Sequence, residues 1–158
     1  MRRKPWCCAE SRTDGFAKDV SGPTCATLPG MTSRPAIVNI TETEEGDQIR
    51  VAITLAWNDG QFTGEAYGPA AGTYHPRLVG EATLRAIEQV TDHSLSLNLT
   101  AIATTPLGAA QVAMAQVKVK GIDEPLVGSA LLGSNDESAA TVKAVLDAIN
   151  RRMSAVLG

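Results

Sequence analysis

Residues 49–66 read Ile-Arg-Val-Ala-Ile-Thr-Leu-Ala-Trp-Asn-Asp-Gly-Gln-Phe-Thr-Gly-Glu-Ala, and this stretch decides the fold. Apolar side chains stand at every second position from Ile49 to Trp57, with polar or small residues between them. A period of two is the pattern of a strand that buries one face. Asn58-Asp59-Gly60 follows, and these residues tolerate the positive φ of a tight turn. The stretch therefore predicts two antiparallel strands joined by a hairpin.

The neighbouring residues complete one β-β-β-α unit. Ile37-Val38-Asn39-Ile40 is a shorter alternating run and predicts a strand before the hairpin. After a loop over residues 68–75, Pro76 occupies a position that favours the first turn of a helix. One apolar stripe at helical spacing then runs to about Thr91 and consists of Leu78, Val79, Ala82, Ala86, Ile87 and Val90.

The same order begins again after this helix. Leu95, Leu97 and Leu99 alternate with polar residues, Thr105-Pro106-Leu107-Gly108 predicts a turn, and two more strands and a helix follow. Laying Gly64-Glu65-Ala66 over Gly128-Ser129-Ala130, an offset of 64 residues (128 − 64), brings the strands of the two halves into phase. One unit cannot cover its own sheet, whereas two together can. The predicted fold is α+β, with two tandem β-β-β-α units forming sheets covered by two helices.

Composition narrows the possible functions. Hydrophobic residues make up 44% and charged residues 20% of the 158 residues, as in an ordinary globular protein. The net charge of −3 and the aromatic share of 4% weigh against nucleic-acid binding, which needs basic residues for phosphates and aromatic rings for bases. No apolar run reaches the roughly 18 residues of a membrane span. We expect a soluble cytoplasmic protein that contacts neither nucleic acid nor membrane.

The N-terminal residues carry no helical or strand period. Residues 1–34 are rich in Ser, Thr, Gly and Pro, which predicts a disordered tail before a folded domain at residues 35–155. A signal peptide is not expected, because Glu10 interrupts the short apolar stretch after the basic start. Met31 stands directly before the first apolar run and reads as a natural beginning. We therefore expect translation of the native protein to start at Met31.

No catalytic, metal or cofactor site is predicted. Cys7, Cys8 and Cys25 all precede the folded part, and no histidine stands near them at a zinc-ligand spacing. His75 and His93 fall at helix ends, where a titratable ring is usually a solvated boundary residue. There is no phosphate-binding glycine loop and no Ser, His and Asp order with a supporting motif. The protein is therefore not expected to be an enzyme.

Several short motifs carry a family resemblance. They are Gly64-Glu65-Ala66-Tyr67-Gly68-Pro69, Gly108-Ala109-Ala110-Gln111, Gly128-Ser129-Ala130, and a helix that runs from Asp136-Glu137-Ser138-Ala139 to Asn150-Arg151. Together they resemble the C-terminal regulatory domain of 2-isopropylmalate synthase, over about residues 36–152. The catalytic barrel of that enzyme and its metal-binding residues have no counterpart in this chain.

The resemblance implies a non-catalytic, allosteric module of leucine biosynthesis. Such a module forms a homodimer, binds leucine or a related amino acid or keto acid, and here would regulate a separately encoded synthase. In the family, glycine-rich turns and helix starts frame the ligand at a subunit interface. Carried over to this chain, the ligand-binding residues are Gly64, Ala66, Gly68, Pro69, Gly128, Ala130, Ser134, Asp136 and Ala139. Ala66 and Ala130 stand where the family has glycine, and Tyr67 stands where it has the turn Asn.

The residues also support other interpretations. The glycines equally suit turns and strand bends, and Ser134, Asn135 and Asp136 equally suit a plain helix N-cap. A β-β-β-α unit with an Ala-rich helix is also similar to double-stranded RNA-binding or ribosome-binding modules. Those need lysines at the helix start, where this chain has Asp136 and Glu137. A third possibility is a purely structural dimerisation partner without a ligand.

Overall fold

The structure is a computed structural model that describes residues 34–133 and 136–156, the last six of them by their backbone alone. The expectations for the N-terminal tail, for a start at Met31 and for ligand binding by Ser134 fall on residues outside this range.

Two β-β-β-α units follow one another along the described chain. Their elements are β1 (Ala36–Glu45), β2 (Gln48–Trp57), β3 (Gly60–Pro69) and α1 (His75–Val90), then β4 (Leu97–Leu107), β5 (Ala110–Val119), β6 (Leu126–Leu131) and α2 (Glu137–Val156). The strands form two antiparallel three-stranded sheets, β1-β2-β3 and β4-β5-β6, which we call the first sheet and the second sheet. The predicted α+β class with two β-β-β-α units is confirmed.

The first strand of each unit is longer than predicted. β1 continues past Ile40 through polar residues to Glu45, and β4 continues through Pro106 to Leu107. The predicted turn over residues 105–108 is therefore wrong at its first three positions, and the chain turns at Gly108, whose φ is 62°. Both strands lie at sheet edges, where exposed polar residues and a proline are compatible with pairing.

Each helix lies directly on the backbone of the third strand of its own unit. A Cβ atom built on Gly64 would overlap the carbonyl oxygen of Ala82 and the amide nitrogen of Ala86. A Cβ atom on Gly128 would overlap the same two groups of Ala144 and Ala148. Only glycine in the strand permits this approach, because any side chain would occupy the space of the helix backbone.

The strand register corrects the offset of 64 residues that was assigned to the second strands. Gly64 pairs with Ile53, and Gly128 pairs with Ala115, so the second strands superpose at an offset of 62 (115 − 53). The helices also superpose at 62, as Ala82 and Ala144 show (144 − 82), and only the third strands keep 64. The turn before β6 is two residues longer than its counterpart. Because side chains alternate with a period of two, this even difference keeps every residue on its predicted face.

The two units share one hydrophobic core. Besides its own sheet, α1 contacts α2 and β4, and α2 contacts β1. At the contact of α1 with β4, Gly80 faces the side chains of Leu99 and Ile102. The largest fully buried side chains come from both units, and they include Ile53, Leu55, Ile87 and Ile149. The second unit therefore completes the core that one unit would leave open.

Candidate functional site

The predicted ligand-binding residues of β3 lie mostly beneath α1. Gly64 is covered by the helix backbone, and Ala66 is fully buried. Gly68 faces the side chain of Leu78 from α1, and Pro69 is exposed at the end of the strand. Helix packing thus accounts for the small residues at these inward positions.

The corresponding residues of the second unit are spread between β6 and the start of α2. Gly128 lies beneath α2, and Ala130 and Ala139 are half-buried. Asp136 precedes α2, and its Oδ1 accepts a hydrogen bond of 2.8 Å from the backbone N–H of Ala139. This is an N-cap interaction, so the capping interpretation of Asp136 is confirmed.

A cleft of about 340 Å³ lies at the start of α2. It is lined by Ala109, Ala110, Gln111, Leu132, Gly133, Asp136 and Glu137. A hydrogen bond of 2.8 Å from the backbone N–H of Leu132 to the carbonyl oxygen of Gln111 joins two of these lining residues. Of the eight predicted ligand-binding residues that the structure describes, Asp136 is the one found in this lining.

The cleft combines three kinds of chemical group. Asp136 and Glu137 contribute two carboxylates, and Gln111 contributes an amide that both donates and accepts hydrogen bonds. Ala109, Ala110 and Leu132 contribute an apolar wall. Sequence reasoning missed this grouping, because the turn before β5 and the loop after β6 meet there only through sheet pairing.

A second polar cluster joins the starts of the two helices. Glu42 lies on the helix-facing side of β1, beside buried Val51. Its Oε2 is 3.1 Å from Nε2 of His75 in α1, and its Oε1 accepts a hydrogen bond of 2.7 Å from Oγ of Ser138 in α2. A carboxylate from the first unit thereby contacts both helices. The alternation of Ile40, Glu42 and Glu44 is the signal that could have predicted this inward position.

The Glu42 cluster does not have the geometry of a catalytic triad. In a triad, a histidine stands between the nucleophilic hydroxyl and the carboxylate and removes the proton from the hydroxyl. Here the carboxylate of Glu42 stands in the middle, and Ser138 donates directly to it. The arrangement joins β1 to the starts of both helices.

A third polar group lies on the outer face of the first sheet, the side turned away from α1. Nη2 of Arg50 is 2.5 Å from Oε1 of Glu65, and the hydroxyl of Tyr67 donates to Oε2 of Glu65 at 2.8 Å. The guanidinium carbon of Arg50 is 5.5 Å from the centre of the Tyr67 ring. Hydrogen bonds from Arg50, and then from Tyr67, hold the pKa of Glu65 below its ordinary value. The hydrogen bond that the hydroxyl of Tyr67 donates to Glu65 raises the pKa of Tyr67.

Among residues 34–133 and 136–156, no three His, Cys, Asp or Glu side chains come together as a metal site. No helix in the described part of the chain is long and apolar enough to cross a membrane. The sequence matches no protein-family model, and no curated protein matches it.

Proposed function

We propose that this chain is a non-catalytic module that binds a small amino acid and forms a homodimer. The observation that carries the ligand part is the cleft at the start of α2, where two carboxylates and an amide face an apolar wall. Its volume of about 340 Å³ falls at the small end of the range for ligand sites. The family resemblance supports the same class of function.

The charges of the cleft favour an amino acid over a keto acid. The carboxylates of Asp136 and Glu137 attract an ammonium group and repel a ligand that carries only negative charge. The positive end of the α2 helix dipole favours a carboxylate. An amino acid carries both groups, and its side chain can contact Ala109 and Leu132.

The first unit has no equivalent of this acidic cleft. Its second and third strands meet in the same way, because Ile49 and Gly68, the counterparts of Gln111 and Leu132, are also paired. However, Tyr74 and His75 stand at the start of α1, where α2 has Asp136 and Glu137. We therefore place one ligand site in each chain, in the second unit.

In its cellular setting, the module is proposed to act in the cytoplasm, in leucine biosynthesis. Its partner there is a separately encoded synthase that it regulates, as the resemblance implies. The acidic start of α2 speaks against the alternative of duplex RNA binding, because Asp136 and Glu137 would repel phosphates.

Isothermal titration calorimetry tests the ligand proposal with leucine, isoleucine and valine and with their 2-oxo acids. We expect binding heat with at least one amino acid and none with the oxo acids. Asp136→Asn keeps a capping side chain but removes its charge, so it should weaken amino-acid binding by roughly tenfold, about 1.4 kcal/mol.

Asp123→Asn, in the turn before β6, is the matched control and should bind like the wild type. Absence of heat with every compound would leave only the dimerisation part of the proposal. Unchanged affinity in Asp136→Asn would show that the ligand binds elsewhere.

A further inference from the structure

The third strand of each unit has a free edge, the side turned away from the second strand. In the orders β1-β2-β3 and β4-β5-β6, β3 and β6 each end their sheet. In antiparallel pairing, every second residue of an edge strand directs its backbone N–H and C=O away from the neighbouring strand. Such a row of backbone groups is a template on which another chain can add a strand.

Each free edge is contacted by one side chain of the helix that covers the strand. The backbone N–H of Ser129 donates to Oδ2 of Asp147 in α2 at 3.1 Å, so this N–H points to the free edge of β6. Glu65 is the counterpart of Ser129 at the third-strand offset of 64 (129 − 65), and its carbonyl oxygen accepts a hydrogen bond from Nη1 of Arg85 in α1. Arg85 is the counterpart of Asp147 at the helix offset of 62 (147 − 85). The same helix position therefore contacts the same edge position in both units.

The two contacts use opposite chemistry. The guanidinium of Arg85 donates to a carbonyl oxygen, whereas the carboxylate of Asp147 accepts from an N–H group. In each case the helix side chain holds a backbone group that an added strand would need for pairing. Because the residue types differ, the units have in common the contact with the edge and not a particular side chain.

We propose that Arg85 and Asp147 close the free edges of β3 and β6 to pairing with another chain. A charged side chain at an edge strand opposes strand addition, because pairing would bury the charge and break its hydrogen bond to the backbone. Both residues belong to helices, so the protection is established when each helix packs on its own sheet.

The edge of β6 depends most on this contact. On the outer face of the second sheet, the side turned away from α2, Val127 and Leu131 flank Ser129 and are exposed by 54% and 65%. The strand Leu126–Leu131 carries no charge and no proline, a composition typical of segments that pair with copies of themselves. The carboxylate of Asp147 is thus the charge that keeps a second β6 strand from this edge.

The edge of β3 depends less on its helix residue. Glu65 lies on β3 itself and forms an ion pair with Arg50 on the outer face of the first sheet. A second copy of β3 paired about Glu65 would set two carboxylates against each other, which destabilises strand pairing. Loss of Arg85 should therefore open its edge less than loss of Asp147 opens the edge of β6.

Sedimentation velocity of the full chain over a wide concentration range tests the proposal. Asp147→Ala should associate at a roughly tenfold lower concentration than the wild type requires, because it removes both the charge and the hydrogen bond from the edge. Alanine is the best helix former, so the substitution leaves α2 intact, and circular dichroism checks this. Glu124→Ala is the matched control, since it removes an exposed carboxylate from the turn before β6 and should behave like the wild type.

Hydrogen exchange, followed by NMR at low and high protein concentration, locates the new contact. The N–H groups of Val127, Ser129 and Leu131 face the free edge of β6, so their exchange should slow as Asp147→Ala associates. The proposal is refuted if Asp147→Ala associates no more readily than Glu124→Ala, or if it associates while these three N–H groups still exchange rapidly. A homodimer of the proposed function would appear equally in the wild type and in Glu124→Ala, so its presence or absence leaves this comparison unchanged.

Discussion

The two outer sheet surfaces can be compared position by position. In the first sheet, Arg50, Glu65 and Tyr67 form a hydrogen-bonded group in contact with solvent. The equivalent positions of the second sheet hold Val112, Ser129 and Leu131. The inner faces, by contrast, are alike, because each has a glycine beneath the helix backbone, Gly64 in the first sheet and Gly128 in the second. Packing against the helix therefore restricts the residue types of the inner face in both units. The outer faces have no such helix contact, and their residue types differ between the units.

The largest expected effect tests the feature that the units share. Gly64→Ala and Gly128→Ala should each destabilise the protein by about 3 kcal/mol or more, because the added methyl group overlaps helix backbone that cannot move without opening the core. Urea unfolding followed by circular dichroism measures the loss.

Gly72→Ala is the control, since a Cβ there meets no atom within 4 Å. It should stay within about 0.5 kcal/mol of the wild type. A Gly128→Ala variant as stable as this control would contradict the direct strand-to-helix contact.

A smaller effect distinguishes the two helix starts. Asp136→Ala removes the hydrogen bond to the N–H of Ala139 and should cost about 1 kcal/mol of unfolding free energy. Tyr74→Ala should cost clearly less, because Tyr74 makes no side-chain cap hydrogen bond and is about half exposed. Equal losses in urea unfolding would show that the helix starts are stabilised alike.

The smallest effect concerns the polar network of the first sheet. The pKa of Glu65 is lower in the folded than in the unfolded protein. The carboxylate therefore stabilises the fold fully at a pH above the unfolded pKa, and this stabilisation is lost as the pH falls through the folded pKa. Glu65→Gln should therefore show a shallower loss of melting temperature between neutral and acidic pH. The effect should shrink in high salt, since the pair is exposed.

Glu124→Gln, in the turn before β6, serves as the matched change and should follow the wild-type pH profile. If Glu65→Gln also followed that profile, the Arg50 and Tyr67 hydrogen bonds would have no measurable effect on stability.

Much of the fold could be predicted from alternation alone, because the central strands bury one face. The ends of β1 and β4 could not, since edge strands pair without a buried face and Glu45 and Pro106 carry no such signal. Asp136 was predictable as a cap from its residue type. The contact of Glu42 with Ser138 was not, because it depends on how two units far apart in sequence pack together. The apolar outer face of the second sheet could be predicted from β5, because Val112 and Met114 add hydrophobic side chains to the face opposite the buried one.

The longer turn before β6 shows which changes in chain length this architecture can absorb. Two additional residues there leave every β6 side chain on the face occupied by its β3 counterpart. A single residue added within β6 would turn Ser129 towards α2 and expose Gly128 on the opposite side. A residue added in the turn over residues 120–125 instead lengthens the loop and leaves the pairing of β6 with β5 unchanged.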